Sequence, residues 1–246
     1  MTITAGAVAI VSGGSRGIGA AAAIALANAG ARVAVLARSK PDLDGVVERI
    51  VNAGGEAVGV PVDITDADAV LGAREAVREH FGPAAILVNN AAIGEPLGRV
   101  WEVDPDQVRR CSEVNFNGAM HVLRAFVPDM IEAGTGRIVA VSSNAGATSI
   151  PTLGIYGATK AAFERLHLVA AAELAGTGVL VNVLWPGGVD TELQGMLRDD
   201  RFAYAEMARD VHSTGRLRTP EQVAPTIVTL CSQECADTGE IVNIAA

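Results

Sequence analysis

The chain has few cysteines and no cluster of metal-binding side chains. Its three cysteines, Cys111, Cys231 and Cys235, form an odd number and lack the close pairs of a zinc site. The spacing of Cys231 and Cys235 is typical of one helix face. The four histidines, His80, His121, His167 and His212, are widely scattered, which is typical of packing or surface residues rather than of ligands. We therefore expect neither a disulfide nor a metal.

Long apolar runs and a basic leader are also missing. No uninterrupted apolar segment is long enough to cross a bilayer, and no basic, serine-rich segment precedes the first apolar run. We therefore expect a soluble, cytoplasmic protein with no membrane partner and no nucleic-acid partner. The formal net charge is −9.

The 246 residues are 50% hydrophobic, and short apolar runs alternate with longer helical stretches. Short apolar runs are typical of strands covered on both faces. The predicted strands are Val8–Ser12, Arg32–Ala37, Ala57–Val62, Ala85–Asn89, Gly136–Ser142, Val179–Leu184 and Glu240–Ile244. The clearest helices are Ile18–Ala29, Asp66–His80, Pro105–Glu132, Tyr156–Ala175 and Pro220–Cys231. The pattern predicts one α/β domain over residues 1–246, a Rossmann fold with a doubly wound, seven-stranded parallel sheet and helices on both faces.

A glycine-rich turn follows the first apolar run. Its sequence, Ser12-Gly13-Gly14-Ser15-Arg16-Gly17-Ile18-Gly19, opens an alanine-rich helical stretch. Gly13 permits a tight turn, Gly17 allows the backbone to approach a pyrophosphate, and Gly19 allows close helix packing. The N–H groups of the helix start can then bind the phosphates. A glycine-rich turn alone often marks only a bend, so other motifs must support this interpretation.

Tyr156 and Lys160 lie four residues apart, and Ser143 lies thirteen residues before the tyrosine. On a helix, this spacing puts the phenol and the ammonium on one face. A phenol ordinarily titrates near pH ~10, and a nearby positive charge favours its ionisation. Ser143 can donate a hydrogen bond to an oxygen that gains negative charge. For an isolated pair, an ordinary amphipathic helix with a half-buried tyrosine and a surface lysine is the more common explanation.

Further motifs follow the glycine turn in a fixed order. They are Asp63 in Val62-Asp63-Ile64, Asn89-Asn90-Ala91-Ala92, Asn115 in Val114-Asn115-Phe116, Ser143, Tyr156 with Lys160, and Pro186-Gly187-Gly188-Val189-Asp190-Thr191. Taken singly, the polar motifs are typical of turns and strand ends. Taken together with the glycine turn, they resemble the classical short-chain dehydrogenase/reductase family from about Ala7 to Ile244.

The resemblance implies reversible hydride transfer between a nicotinamide cofactor and a ketone, aldehyde or secondary alcohol. Ser143, Tyr156 and Lys160 would be catalytic, with Tyr156 as the acid/base and Lys160 lowering its pKa. Asn115 would complete a tetrad that holds a proton-relay water. The expected cofactor contacts are Gly13, Ser15, Arg16, Gly17, Ile18, Gly19, Arg38, Ser39, Asp63, Ile64, Asn89, Ala91, Tyr156, Lys160, Pro186, Gly187, Val189 and Thr191. Among these, Asp63 would meet the adenine, Asn89 would shape the cofactor floor, and residues 186–191 would contact the nicotinamide side.

The charge at the end of the second predicted strand favours NADP(H) over NAD(H). An NAD site usually places a carboxylate there to bind the ribose 2′-hydroxyl. This chain has Ala37-Arg38-Ser39 instead. Arg38 and Arg16 could clamp a 2′-phosphate through charge-assisted hydrogen bonds. Alternatively, both arginines are solvated surface residues.

The expected substrate pocket combines three segments, Ile93–Val103, Asn144–Ile155 and a substrate loop at about residues 188–216. That loop includes the mostly apolar residues Leu193, Met196, Leu197, Phe202, Tyr204 and Met207, and the charged run Arg198–Arg201 interrupts them. It could be a lid over a hydrophobic carbonyl compound, or simply helix packing. The resemblance to 3-oxoacyl-[acyl-carrier protein] reductases is mostly shared with the whole family. The net charge and the absence of a basic cluster around Glu132–Gly136 argue against docking of an acidic carrier protein.

Several alternatives stay open at this point. The chain could be an NAD-dependent alcohol dehydrogenase of the same family, a catalytically silent NADP(H) sensor, or a scaffold that keeps only the fold. A homodimer or homotetramer is expected, because family members pair their long helices across subunits. The final segment, Gly239–Ala246, lacks the usual Asp-Gly-Gly tail, which leaves the choice between these two assemblies open.

Overall fold

A computed structural model describes residues 2–200, 202 and 205–244, without the side chain of Met207. Within this part of the chain, short apolar segments pair side by side as parallel strands. They are β1 Val8–Ser12, β2 Arg32–Ala37, β3 Glu56–Pro61, β4 Ala84–Asn89, β5 Gly136–Val141, β6 Val179–Trp185 and β7 Ile241–Asn243. The sheet order is β3-β2-β1-β4-β5-β6-β7, so the chain crosses over between β3 and β4. The predicted seven-stranded parallel sheet is confirmed.

Helices cover both faces of this sheet. They are α1 Gly17–Asn28, α2 Lys40–Asn52, α3 Ala67–Phe81, α4 Pro105–Ser112, α5 Ala119–Ala133, α6 Gly154–Glu173, α7 Glu192–Leu197, α8 Ala205–Ser213 and α9 Pro220–Cys231. The sequence prediction did not include α2, whose polar sequence buries only Leu43, Val46 and Ile50. These three residues follow helical spacing, which is the signal that identifies α2.

Alternate residues of the strands supply two hydrophobic cores. Ala9 and Val11 of β1 pack in the core that contains α1, α2 and α9 residues. Val8 and Ile10 pack in the opposite core, with α3 and α5 residues. Successive side chains of a strand point to opposite faces, so a strand buried on both faces must be apolar throughout. This requirement explains why the strands are continuous apolar runs.

The predicted helix Pro105–Glu132 contains an unexpected change of helix type. The helical run continues from α4 into α5, but Glu113–Gly118 between them forms a π-helix. Asn115 lies in this segment, and its side chain pairs with the backbone of Ile93 through two hydrogen bonds, 2.8 Å from the Ile93 N–H and 2.9 Å to the Ile93 carbonyl. Short π-helical segments are frequent at functional sites. The predicted helical stretch is confirmed, but the π-helix within it was not predicted, because the bonds that accompany it involve a distant loop.

A buried carboxylate joins α3 to α5. The side chain of Asp129 is 2% exposed and forms ion pairs with Arg74 and, at 2.9 Å, with Arg78. The hydrogen bond to Asp129 raises the pKa of Arg74. A buried charge of this kind is stable only when it has a partner.

Replacing Asp129 with alanine removes the partner that Arg74 and Arg78 share. We expect the Asp129→Ala variant to lose roughly 2–4 kcal/mol of unfolding free energy, because breaking a buried ion pair leaves an uncompensated charge. Urea denaturation measures this loss. The control is Glu102→Ala, which breaks the exposed 3.3 Å pair between Arg99 and Glu102 and should cost less than ~1 kcal/mol. Equal losses in the two variants would contradict the assigned role of Asp129.

Candidate active site

Ser12 ties the carboxyl ends of β1 and β4 together. Its Oγ accepts the N–H groups of Asn90 and Ala91 at 2.9 and 3.2 Å, and it donates to Oδ1 of Asn89 at 3.2 Å. β1 and β4 are neighbours in the sheet, but the chain leaves them toward opposite sides. The carboxyl end of such a pair forms the ligand crevice of an open α/β sheet.

The glycine turn has the shape of a phosphate cradle. Gly13 and Gly17 have φ angles of +63° and +55°, which favour glycine. A Cβ atom on Gly13 would lie 2.7 Å from Cα of Ala91, and one on Gly19 would collide with the Gly13 carbonyl. Helix α1 has no side-chain cap and no acidic residue in its first turn. Its first N–H groups can therefore bind an anion, and the turn fits the pyrophosphate of a dinucleotide.

Helix α6 brings Tyr156 and Lys160 together, and the segment after β5 adds Ser143. Ser143 and Tyr156 line the same cavity, and the Ser143 side chain favours a lower pKa for the tyrosine. The ammonium of Lys160 donates to the Val141 carbonyl at 2.9 Å and lies 6.0 Å from the centre of the Tyr156 ring. It also lies 4.5 Å from the ring centre of Phe163. The predicted trio therefore meets at one point, at the carboxyl edge of the sheet.

Burial controls the titration of this trio. It raises the pKa of Tyr156 to about 12, although the Ser143 side chain acts in the opposite direction. Burial also lowers the pKa of Lys160 to about 8. The expected lowering of the tyrosine pKa by Lys160 is not found in this structure, because burial of the phenol is the largest influence on that pKa. The phenol holds its proton at neutral pH, which is the form that donates a proton.

Asn115 lies behind the trio and does not line the cavity. Besides the two bonds to Ile93, its Nδ2 donates to Oγ1 of Thr159 at 2.9 Å and lies 3.4 Å from Sγ of Cys111. Thr159 in turn donates to the Tyr156 carbonyl at 2.8 Å. Thr159 thus connects the π-helix to the start of α6. Sequence reasoning missed Thr159 and Cys111, since no local pattern indicates these contacts.

The two neighbouring asparagines have different positions. Asn89 is fully buried, and its Nδ2 lies 3.0 Å from the Ala119 carbonyl and 3.2 Å from Nε2 of His167. Asn90 instead lines the cavity and donates to the Gly13 carbonyl at 3.1 Å. The side chain predicted for the cofactor floor therefore supports β4 from inside the protein. Asn90, which was not among the predicted site residues, supports the glycine turn.

Several residues expected around the adenine ribose form contacts with neighbouring parts of the protein. Arg38 is exposed at the end of β2, and Asp63 lies 3.6 Å from Arg110. Burial favours a higher pKa for Asp63, but hydrogen bonds from Thr65 and the charges of Arg110 and Arg38 lower it overall. Ser39 caps α2 through a 3.5 Å bond from the Asp42 N–H, and Ile64 is buried in the core.

Arg16 lies at the opening of the crevice and forms a 2.6 Å ion pair with Glu192 of α7. Both side chains remain largely exposed, at 70% and 51%. An exposed pair of this kind is weak, so Arg16 is able to exchange partners.

The predicted substrate loop contains two helices, α7 and α8, with residues 201, 203 and 204 outside the described part. Its two ends are joined, because Asp190 N–H donates to the Arg218 carbonyl at 2.8 Å and Arg218 N–H to the Gly188 carbonyl at 2.9 Å. The predictions for Tyr204 and for the side chain of Met207 also fall outside the described residues. Leu193 and Leu197 line the cavity, as expected.

The cavity between this segment and the catalytic trio has a volume of about 320 Å³. Of the predicted cofactor residues, Ile18, Tyr156, Lys160, Pro186, Gly187, Val189 and Thr191 line it. One cavity therefore joins the glycine turn to the catalytic trio, which is what a reaction between a bound dinucleotide and a second ligand requires. Among the described helices, none has the length and apolarity needed to span a membrane.

Comparison with known proteins agrees with this geometry. A family model for short chain dehydrogenases matches residues 7–201. A short chain dehydrogenase of Pseudocercospora fijiensis is 42% identical over 76% of this chain. This chain spans 61% of that relative's length and 17% of the length of the glycine betaine reductase ATRR of Emericella nidulans. The cis-4-hydroxycyclohexanecarboxylate dehydrogenase of Sinomonas cyclohexanicum is 36% identical, over 92% of this chain and 89% of that protein.

Two solved structures have the same fold over nearly their whole length. Actinorhodin polyketide ketoreductase with NADPH is 30% identical, with a TM-score of 0.89 over 97% of this chain and 95% of that one. Xylitol dehydrogenase with bound NAD+ is 27% identical, with a TM-score of 0.90 over 98% of each chain. The family model covers most of the sequence, and the three predicted catalytic residues line one cavity. The chain belongs to the short-chain dehydrogenase/reductase family of oxidoreductases.

Proposed function

We propose that the protein is an NADP(H)-dependent carbonyl reductase that transfers hydride reversibly between the cofactor and a ketone or aldehyde. The observation that carries this proposal is that Ser143, Tyr156 and the buried Lys160 line one cavity together. A bound nicotinamide supplies the hydride. The proton and the charge stabilisation must come from the protein.

Each residue of the trio has a distinct task in carbonyl reduction. Ser143 holds the carbonyl oxygen by hydrogen bonding, and Tyr156 donates its phenolic proton to that oxygen. Lys160 stabilises the tyrosinate that this step leaves behind, because its charge lies nearby and both side chains are buried. The Val141 carbonyl fixes the ammonium in this position. In the reverse direction Tyr156 accepts the proton of an alcohol.

The basic residues near the adenine end support NADP(H) as the cofactor. β2 is followed by Arg38 rather than by a carboxylate, and Arg38 is exposed. Arg16 is available as a second cation once it leaves Glu192. The ketoreductase neighbour was solved with NADPH. The NAD+-bound xylitol dehydrogenase keeps an NAD-dependent alcohol dehydrogenase as the second candidate.

A silent NADP(H) sensor and a scaffold are disfavoured by the complete set of Asn115, Ser143, Tyr156 and Lys160. A homo-oligomer remains our proposal for the assembly. The outer faces of α5 and α6 expose Met120, Ile131 and Val169 at 40%, 47% and 44%. Exposed apolar side chains on neighbouring long helices are suited to pairing between subunits.

Replacing Tyr156 with phenylalanine removes the proton donor and retains the ring. We expect kcat for carbonyl reduction to fall at least ~100-fold, the lower range for loss of a general acid. The dissociation constant for NADPH should stay within about threefold, since the ring still fills its place in the core. Steady-state kinetics and nicotinamide fluorescence titration measure the two quantities. Near-normal turnover by Tyr156→Phe would falsify the assigned role.

Replacing Arg38 with aspartate tests the choice of cofactor. We expect NADPH affinity to fall roughly 10- to 100-fold, because a charge-assisted contact to the 2′-phosphate is lost. NADH affinity should remain or improve, since aspartate can accept a hydrogen bond from the ribose 2′-hydroxyl. The control is Arg49→Asp, which makes the same change of charge at an exposed position in α2. Parallel losses for NADPH and NADH, or equal effects of the two variants, would contradict a 2′-phosphate contact.

A further inference from the structure

We infer that the substrate is an uncharged carbonyl compound with a compact apolar body, and that the cavity selects against carboxylates. This inference rests on the proposed function and specifies the substrate class of the same site. It follows from the side chains that line the cavity beside Tyr156, from the charges of those side chains, and from the volume of the cavity.

The wall beside Tyr156 is apolar. Tyr156 forms a buried cluster with Leu153, Leu197 and Ala208, against which Ile150 and Leu193 pack. All of these residues also line the cavity. A substrate whose carbonyl oxygen reaches Ser143 and Tyr156 must lay its remaining atoms against this wall. Binding of apolar substrate atoms against this wall is favourable, because those atoms leave water.

The polar part of the wall is uncharged. Asn144 and Gln194 line the cavity, and their amides can form hydrogen bonds with a neutral oxygen of the substrate. Among the described lining residues, Lys160 is the single charged side chain. Its ammonium is held by the Val141 carbonyl below the tyrosine, and Lys160 is 2% exposed. A carboxylate remote from the reacting carbonyl therefore finds no cation in the described wall.

A carboxylate in this cavity would lose its water without gaining an ion pair. Burying an unpaired charge is far more costly than burying a neutral polar group. The net charge of −9 also repels anions from the protein as a whole. Both effects act in the same direction and favour the neutral form of otherwise similar substrates.

Helix α7 and the volume of the cavity limit the size of the substrate. Leu193 of α7 packs directly on Gly94, where a Cβ atom would collide with the Leu193 side chain. The cavity of about 320 Å³ is at the lower end of the usual range for ligand pockets, and the nicotinamide needs part of it. The remaining space suits a body of one ring rather than a fused polycyclic system.

The decisive experiment compares two probes that differ in charge. They are 4-oxocyclohexanecarboxylate, the ketone related to the alcohol named for the Sinomonas relative, and its methyl ester. With NADPH at pH 7, we expect kcat/KM for the ester to exceed that for the acid by at least ~10-fold. Equal or higher kcat/KM for the acid would overturn this inference and leave the proposed function intact. If the protein binds NADPH and reduces neither probe nor cyclohexanone, the proposed function fails, and the inference fails with it.

A cation introduced into the wall tests the physical cause. We expect Gln194→Arg to raise the ratio of acid to ester kcat/KM by at least ~10-fold, because arginine can pair with the carboxylate. Gln194→Met, which is similar in length and uncharged, should keep the preference for the ester. An unchanged ratio in Gln194→Arg, or equal changes in both variants, would mean that charge in this wall does not determine selection.

Discussion

The hydroxyl of Ser12 is the contact on which the rest of the site depends. It holds the backbone that follows β4 against the end of β1 and bonds to Asn89, while the neighbouring Asn90 donates to the Gly13 carbonyl of the glycine turn. Because the chain leaves β1 and β4 in opposite directions, this contact stands where the crevice opens. The phosphate cradle and the catalytic residues therefore share one rigid edge of the sheet. This arrangement is the general solution of open α/β sheets for joining a cofactor to a second ligand.

Exclusion of water links the chemistry of the trio to the choice of substrate. Burial keeps the phenol protonated and weakens the hold of Lys160 on its proton. The same low polarity strengthens every interaction with the charge that develops during reaction. It also penalises any ligand that brings an unpaired charge into the cavity. On our two proposals, catalysis and the selection of neutral substrates have one physical origin, namely the buried and largely apolar surroundings of Tyr156.

The sheet could be predicted from local periodicity, whereas the glycine turn and the trio were identified by the order of several motifs that together resemble the family. Ala9 and Val11 could be placed in strands by their apolar neighbours, and Tyr156 and Lys160 on one helix face by their separation. The π-helix at Asn115, the inward position of Asn89 and the pairing of Arg16 with Glu192 could not be predicted. Each depends on contacts between segments remote in sequence, such as Asn115 with Ile93 and Thr159. The raised pKa of Tyr156 likewise reflects three-dimensional burial, which spacing does not report.

The parallel sheet has a consequence for how the protein acquires its activity. Ser12 and Asn89 are 77 residues apart in the chain, yet their strands are direct neighbours. Pairing of this kind forms slowly, because a long segment loses chain entropy before its favourable contacts are made. Until β4 arrives, β1 has an unpaired apolar edge that is prone to association with other chains. Without β4, the glycine turn lacks the support of Asn90, which donates to the Gly13 carbonyl. The appearance of enzyme activity during folding should therefore indicate that the central sheet is complete.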